Sequence, residues 1–494
     1  MKPFPSKVFI RFLSCMFMQG RNIVLLLLDT VRASALAEHG MPTIKRMAKR
    51  GTYYSAAVAP GTWTAPSHAS LFTNTRVTEI PGVSKDFFGK EEIDPWMVKN
   101  RFLNGSEPTI ASRLSGIGYQ TTLLSNNPFL TSLTNLGSGF ENIYDVWKES
   151  NIKYNKGLAE RLSVIINSGS SARQKMYMAS YLCTRMLPSN ALDLLYMELR
   201  NRLNEGVSKA EGRNRLDKGA SNANRALKDY LEHKYNYGPQ FIFMNYIEAH
   251  ENYPAKVAQD KWLYMSGILE MNETVTKQLY KGYLKRIRYL DRKISEAISI
   301  MKHRGVLDNA TLIITSDHGQ MFGEHGMLYH SLQPYEGISR VPLISVNFTN
   351  GKIDSEPERF DGPAPMNRLH GAMFDIASWK NEFLNGQLKG SRYTVSEHTG
   401  ISEGWDEALL RMLKPRSKSA ARIYEAKRIN NMHVTAVYHK NMKLMHYFGA
   451  RADLMYDLAN DPAESYNVIN KHRALAKEMA SQARPTQPSW TGPT

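Results

Sequence analysis

Two stretches of this chain carry apolar residues without alternation: Asn22-Ile23-Val24-Leu25-Leu26-Leu27-Leu28 and Ala310-Thr311-Leu312-Ile313-Ile314-Thr315. A strand with one wet face alternates with period two, so an unbroken run predicts a central parallel strand covered on both faces. Each run ends in an acid, Asp29 and Asp317, at the carboxyl end of the strand where open α/β sheets collect ligands. Between them helical and strand patterns alternate. Residues 42–51 start with proline, carry basic residues in the last turn and stop at glycine, which predicts a short helix. Strands are expected over 53–58, 119–124 and 240–246, and helices over 107–116, 222–233 and 279–304, the last closed by Gly305. The strand at 240–246 delivers Glu248, His250 and Tyr253. This βα alternation reads as α/β.

The stretch Trp63-Thr64-Ala65-Pro66-Ser67-His68-Ala69-Ser70-Leu71-Phe72-Thr73 sits between these strands. Pro66 would open a helix whose unpaired N–H groups point back toward Thr64, a setting that holds an anionic group. From 151 to 215 the alternation gives way to basic helical sequence, expected to be an insertion or cap with helices at 176–186 and 191–203. Past Val346 the signals weaken. Residues 362–365 read as a loop, 370–385 as a helix, and 432–437 with 442–448 as neighbouring strands of a smaller antiparallel region. The expected organisation is an extension at 1–20, a catalytic unit at 21–350, the rest of the core and a C-terminal α+β subdomain at 351–483, and a flexible tail at 484–494.

Composition changes the picture modestly. The 494 residues are 42% hydrophobic and 22% charged, ordinary globular usage, so the chain should fold around a large core. A formal charge of +17 favours anionic partners: phosphate or sulfate esters, acidic polymers, nucleic acid or an anionic membrane surface. Cys15 and Cys183 lie in unlike contexts, so no disulfide framework is expected and a reducing, cytoplasmic setting is preferred. Secretion is disfavoured, because Arg11 splits the apolar part of the first twenty residues and no small-residue cleavage site follows; Met18 is an alternative start. No transmembrane segment is expected, since no later stretch approaches roughly 18 uninterrupted apolar residues.

Asp29, Thr64, Asp317 and His318 would supply three oxygens and one imidazole, a set that suits one divalent ion without choosing among Ca²⁺, Mn²⁺ and Zn²⁺. Acids at strand ends also serve as caps and ion-pair partners, so spacing alone leaves both roles open. Four ordered motifs then resemble the sulfatase family of the alkaline-phosphatase superfamily. They are Asn22 to Thr30, Trp63 to Thr73, Ser316-Asp317-His318-Gly319-Gln320 with Gly323-Glu324-His325-Gly326, and Leu454-Met455-Tyr456-Asp457 running on to Glu464. The resemblance spans about 22–467, with 151–215 unmatched. It implies an α/β sandwich around a large mixed sheet and a smaller C-terminal α+β domain. It also implies that Asp29, Asp317 and His318 ligate the metal, that Thr64 is the nucleophile bridging to it, and that His250 and His330 contact the ester or its leaving oxygen. Arg32 and His68 would be further groups on the substrate oxygens.

Two departures from the family pattern bear on the reaction. Sulfatases of the common type read Cys-x-Pro-x-Arg, with the Cys converted to formylglycine; here Thr64 stands at the Cys and His68 at the Arg, so no formylglycine forms. Thr30 stands where many sulfatases have a further metal-binding Asp. An Asp, Thr, Asp, His set resembles instead the phosphodiesterase and phosphotransferase branches, which use an unmodified threonine and often hold a second metal through further Asp and His ligands; the sequence singles out no such trio. The expected function is a metal-dependent hydrolase of sulfuric or phosphoric esters acting on an anionic ester carried by a polysaccharide, a lipid or a nucleotide. The alternatives are a phosphotransferase moving a phospho-head group to an alcohol, a peripheral membrane enzyme, or a basic polyanion-binding protein with an inactive site. Nucleic acid is disfavoured as a partner, because the candidate ligands are all retained.

Overall fold

The computed structural model describes residues 20–37, 40–80, 103, 108–131, 135–148, 216–236, 238–251, 271–330, 333–378, 387–389, 391–400, 432–449 and 451–484. Residues 1–19 of the expected extension, the insertion at 151–215, Tyr253, the end of the 370–385 helix and the tail beyond 484 lie outside the described residues.

A nine-stranded mixed sheet forms the centre. Its first half contains β1 (Asn22–Leu28), β2 (Thr52–Val58), β3 (Gln120–Ser125), β4 (Asn142–Asp145) and β5 (Gln240–Tyr246). Its second half contains β6 (Asn309–Thr315), β7 (Arg340–Thr349), β8 (Lys352–Ile353) and β9 (Glu358–Pro365). The order is β9-β2-β7-β6-β1-β5-β3-β4, with β8 on β7. β1 lies between β5 and β6 and is parallel to both, and all seven of its residues are buried. This is the covered central strand that the missing alternation requires.

The sheet's two faces bury two apolar clusters. Val24, Leu26 and Leu28 join one with α1 (Pro42–Arg50), α4 (Ala220–His233) and α5 (Glu273–His303). Ile23, Leu25 and Leu27 join the other with α2 (Thr64–Thr73), α3 (Ile110–Ser115) and α7 (Leu369–Ala377). Successive side chains on one strand thus feed opposite helical layers, the period-two geometry of any strand with apolar residues on both faces.

One expectation is corrected. Residues 362–365, read as a loop from their Gly-Pro-Ala-Pro composition, form the end of β9, which pairs parallel with β2 across a register shift between Phe360 and Pro363. β9 ends the sheet path, and proline is tolerated at an edge because its missing N–H removes no ladder bond from the interior.

The smaller unit is an antiparallel sheet of β10 (Thr394–His398), β11 (Val434–His439), β12 (Met442–Tyr447) and β13 (Leu454–Asp457), backed by α8 (Arg473–Ala483). It is fastened to the main sheet by a buried charge cluster. The Lys443 ammonium, fully buried, lies 2.6 Å from Glu464 and 3.2 Å from Glu336, and a buried charge is tolerated only when paired in this way. Glu336 opens the short helix α6 (Glu336–Ser339), where Gly337 and Ile338 offer their carbonyls to the N–H groups of Gln320 and Gly319 at 2.7 and 2.6 Å. Gly319 has no alternative here, since a Cβ would stand 2.2 Å from the Gly337 carbonyl. The C-terminal sheet therefore braces the loop that follows Asp317 and His318.

Candidate metal-centred active site

Three chain segments meet at the carboxyl end of the sheet. β1 and β6 are neighbours, so Asp29 and Asp317, one and two residues past their ends, emerge side by side. The register is locked by backbone contacts between the two exits. Thr30 donates its N–H to Asp317 Oδ1 at 3.3 Å, Val31 donates to Ser316 Oγ at 3.0 Å, and Thr30 adopts a left-handed φ of 65°. Such a backbone conformation is costly for a β-branched residue and persists only where its surroundings over-determine it. The first turn of α2 is pinned to the same place by Ser67 Oγ, which donates to the Asp317 carbonyl at 2.6 Å. The helix begins at Thr64, so Pro66 falls within its first turn, where no intrahelical N–H is lost.

The result is one buried donor set. Ligand atoms of Asp29, Asp317 and His318 all lie within 4.8 Å of one another, and Thr64 Oγ1 is 3.5 Å from His318 Nε2. His318 Nδ1 is 3.0 Å from the Gly319 carbonyl. With the proton held there, Nε2 presents its lone pair toward Thr64 and the two acids, the tautomer a cation requires. Asp29 Oδ2 accepts from Asn127 at 2.9 Å, whereas Asp29 Oδ1 and Asp317 Oδ2 are buried without a hydrogen-bond donor. Burial and the neighbouring Asp317 push the Asp29 carboxyl well above the usual range, and burial raises Asp317 to about 7. Two sequestered carboxylates with donor-free oxygens converging on an imidazole lone pair fit a divalent cation, which would supply the missing positive charge.

A pH dependence follows. Between the ordinary carboxyl range and about 7 the folded, metal-free protein holds a proton on Asp317 that the unfolded chain has released. Its stability therefore falls as pH rises through that window and stays low above it. Cation binding needs the deprotonated acids, so added Mn²⁺ should raise the Tm more at pH 8 than at pH 6. A calorimetric scan checks this, with about 2.7 kcal/mol of stabilisation expected at a hundredfold excess over Kd.

A second group adjoins the first. His250, Glu251 and His330 also place ligand atoms within 4.8 Å, with Glu251 Oε2 at 3.0 Å from His330 Nδ1 and 3.7 Å from His250 Nδ1. The His330 ring centre is 4.7 Å from that of His318 and 4.8 Å from that of His250. Gln320 Oε1 lies 3.1 Å from His330 Nδ1. Burial holds His250 well below the usual imidazole range. These groups could hold a cation or relay a proton toward a leaving oxygen. Lys218 organises them from behind: its ammonium donates to the carbonyls of both His250 and Glu251, and burial followed by Arg286 lowers it to about 7.

The structure thus brings together Asp29, Thr64, Asp317, His318, His250 and His330. It also sets His68 against the same acids, with Nδ1 3.6 Å from Asp317 Oδ2, and puts Arg32 beside Glu324. His68 lies on α2 with Nδ1 2.7 Å from the Thr64 carbonyl and its ring edge-on to Phe72 and Phe243; burial lowers it to about 3, so it is a neutral ring with its donor already used. The Arg32 guanidinium is 2.6 Å from Glu324 and lies over Phe322, forming a side wall. Sequence reasoning missed Asn127, Glu251, Gln320 and Lys218. The first follows the apolar end of β3 as Asp29 follows β1, a signal that was available; Glu251 is next to His250. Lys218 carries no local signal.

Residues 21–347 match the sulfatase family model. An arylsulfatase of Clostridium perfringens is 23% identical over 493 residues, 91% of this chain and 90% of its own. An N-acetylglucosamine-6-O-sulfatase of Bacteroides thetaiotaomicron is 30% identical over 108 residues, 19% of either chain. Among solved structures, a phosphonate monoester hydrolase from Silicibacter pomeroyi superposes with a TM-score of 0.58 at 15% identity, covering 94% of both chains. The match runs through β1, α2 and β6 and so includes all three segments that meet at the acids: the chain belongs to the sulfatase family of ester hydrolases.

Proposed function

We propose that the chain hydrolyses phosphoric mono- or diesters in preference to matched sulfuric esters, with Thr64 Oγ1 as nucleophile beside a divalent cation held by Asp29, Thr64, Asp317 and His318. The observation that carries this is the hydroxyl of Thr64 set 3.5 Å from the lone pair of His318, itself grouped with two carboxylates that each keep one donor-free oxygen, at the position where family members convert a cysteine. When bound, the cation would lower the pKa of a coordinated oxygen and screen an anion's approach.

The chain's own groups do the rest. Thr64 loses its proton to solvent and its oxygen attacks phosphorus as the bond to the leaving oxygen breaks. The N–H groups of Thr64 and Ala65, in the first turn of α2, would serve the oxygens on which charge grows. His330, with Glu251 3.0 Å from its Nδ1, protonates the departing alcohol, while the neutral His250 ring packs edge-on against that of His330. Water then attacks the threonine ester and releases it. Asn127 and the Thr30 N–H hold the two acids in place throughout.

The preference rests on the second step. A formylglycine hydrate expels sulfate by collapsing to the aldehyde, whereas a sulfated threonine has no such exit and must be displaced at sulfur. A phosphorylated threonine can be attacked in line at phosphorus. Matched aryl phosphate, aryl phosphodiester and aryl sulfate substrates should therefore show at least about tenfold higher kcat/KM for a phosphoric ester, about 1.4 kcal/mol of transition-state preference. A tenfold sulfate preference that disappears in Thr64→Ala would reverse the assignment.

A further inference from the structure

Two chain segments beside the site are fastened to each other by bonds that run in both directions. The turn at the exit of β5, closed by the His250 N–H on the Ile247 carbonyl at 3.1 Å, carries His250 and Glu251; residues 216–219 lead into α4. Glu248, fully buried in that turn, accepts the N–H groups of Lys218 and Ala220 on one carboxylate oxygen at 3.0 and 2.8 Å. Lys218 returns the contact, its ammonium donating to the carbonyls of His250 and Glu251 at 2.5 and 2.6 Å. The same segment is anchored independently. Tyr289 of α5 donates to Asp217 at 2.7 Å, Arg286 of α5 donates to the Leu216 carbonyl at 3.4 Å, and Asp217 accepts the Gly219 N–H at 2.8 Å. None of these anchors uses the Lys218 side chain.

A lysine is a poor choice for fastening alone. Burial opposes its charge, as does the neighbouring Arg286, and an apolar side chain would fill the place without that penalty. What the ammonium adds is a grip on two successive carbonyls, which fixes the backbone from which Glu251 projects. Glu251 Oε2 then stands 3.0 Å from His330 Nδ1. A carboxylate there holds the Nδ1 proton, orients the ring and stabilises the imidazolium, which leaves Nε2 to carry the transferable proton. We infer that Lys218 is a positioning residue for protonation of the departing alcohol, acting through Glu251 on His330; this rests on the reading above, in which His330 is the proton donor. The influence of Lys218 then scales with the leaving group's need for a proton. A dinitrophenolate departs unaided, whereas a phenolate does not.

The test compares dinitrophenyl phosphate with phenyl phosphate on the full chain supplied with Mn²⁺, through kcat/KM, which covers the steps up to departure of the alcohol. Lys218→Met keeps the length of the side chain and removes its donors. It should lose at least about thirtyfold on phenyl phosphate and stay within about threefold of wild type on dinitrophenyl phosphate, since general-acid help of roughly a hundredfold or more is felt only where the leaving group needs it. Lys218→Gln, which can still donate to one carbonyl, should fall between, and turnover of the dinitrophenyl ester by either variant is itself the check on folding. In a Glu251→Gln background Lys218→Met should cost less than about threefold on phenyl phosphate, because the carboxylate it positions is gone. Equal losses on the two esters would overturn the inference, since a purely structural or a through-space electrostatic role of the ammonium lowers both alike. Losses that multiply in the double variant would overturn it too. Those outcomes leave wild-type turnover of phosphoric esters standing, whereas a wild type that turns over neither ester would overturn the function reading and this inference with it.

Discussion

Thr64→Ala is expected to lower kcat/KM on every ester the protein accepts by roughly a thousandfold or more, with the fold intact. The magnitude follows from the role: removing a nucleophile leaves only whatever binding and electrostatic stabilisation can do for direct attack by water. The fold should survive because alanine keeps a small helix-forming residue in the first turn of α2, and the hydroxyl it removes stands 3.5 Å from His318. Thr64→Ser keeps the hydroxyl and should retain a measurable part of the activity. Steady-state kinetics on the matched esters, with circular dichroism as the fold check, decide it. Equal activity in Thr64→Ala and wild type would remove the residue from the chemistry.

Asp317→Asn should likewise abolish turnover, by roughly a thousandfold, but with the opposite sign on stability. Asparagine keeps an oxygen for the N–H groups of Thr30 and His318, now 3.3 and 2.9 Å from Asp317, so the exit of β6 keeps its shape. What disappears is one of two buried carboxylates, Asp317 itself raised by burial, and with it the charge that adds to burial in raising Asp29. The metal-free variant should therefore melt above metal-free wild type at pH 8, while binding Mn²⁺ far more weakly. His318→Ala should lose the metal as well. Elemental analysis after dialysis and calorimetry with and without Mn²⁺ test both halves. Full turnover by both variants in chelator-treated buffer would exclude a metal at these residues.

The two strands that frame the site were legible because their physics is local. An apolar run without alternation has one structural meaning, and an acid at its carboxyl end falls where ligands gather. The glycine stop and basic last turn of α1 were readable for the same reason. Less local features were harder to see. β9 was masked by its Gly-Pro-Ala-Pro end, which as composition reads as a loop and becomes a strand only because an edge tolerates proline. Glu251 and Lys218 acquire their positions from contacts across the fold: Lys218 reaches His250 and Glu251 from 32 and 33 residues away. His68 shows the converse, since its place in the motif suggested a substrate donor, while the turn of α2 sets its Nδ1 on the carbonyl four residues back. Motif position fixes where a residue lies along the chain, and only packing decides which of its atoms is left free.

The central claim is that the ester is passed through Thr64, and the stereochemical course of the reaction tests it most directly. Turnover in 17O-labelled water of an aryl phosphorothioate made chiral at phosphorus by 18O distinguishes two in-line displacements from one, because the thiophosphate released is itself chiral. Attack by Thr64 followed by attack of water inverts the centre twice, so net retention is the result this account predicts. Net inversion would show that water attacks the substrate directly and that Thr64 carries no covalent intermediate.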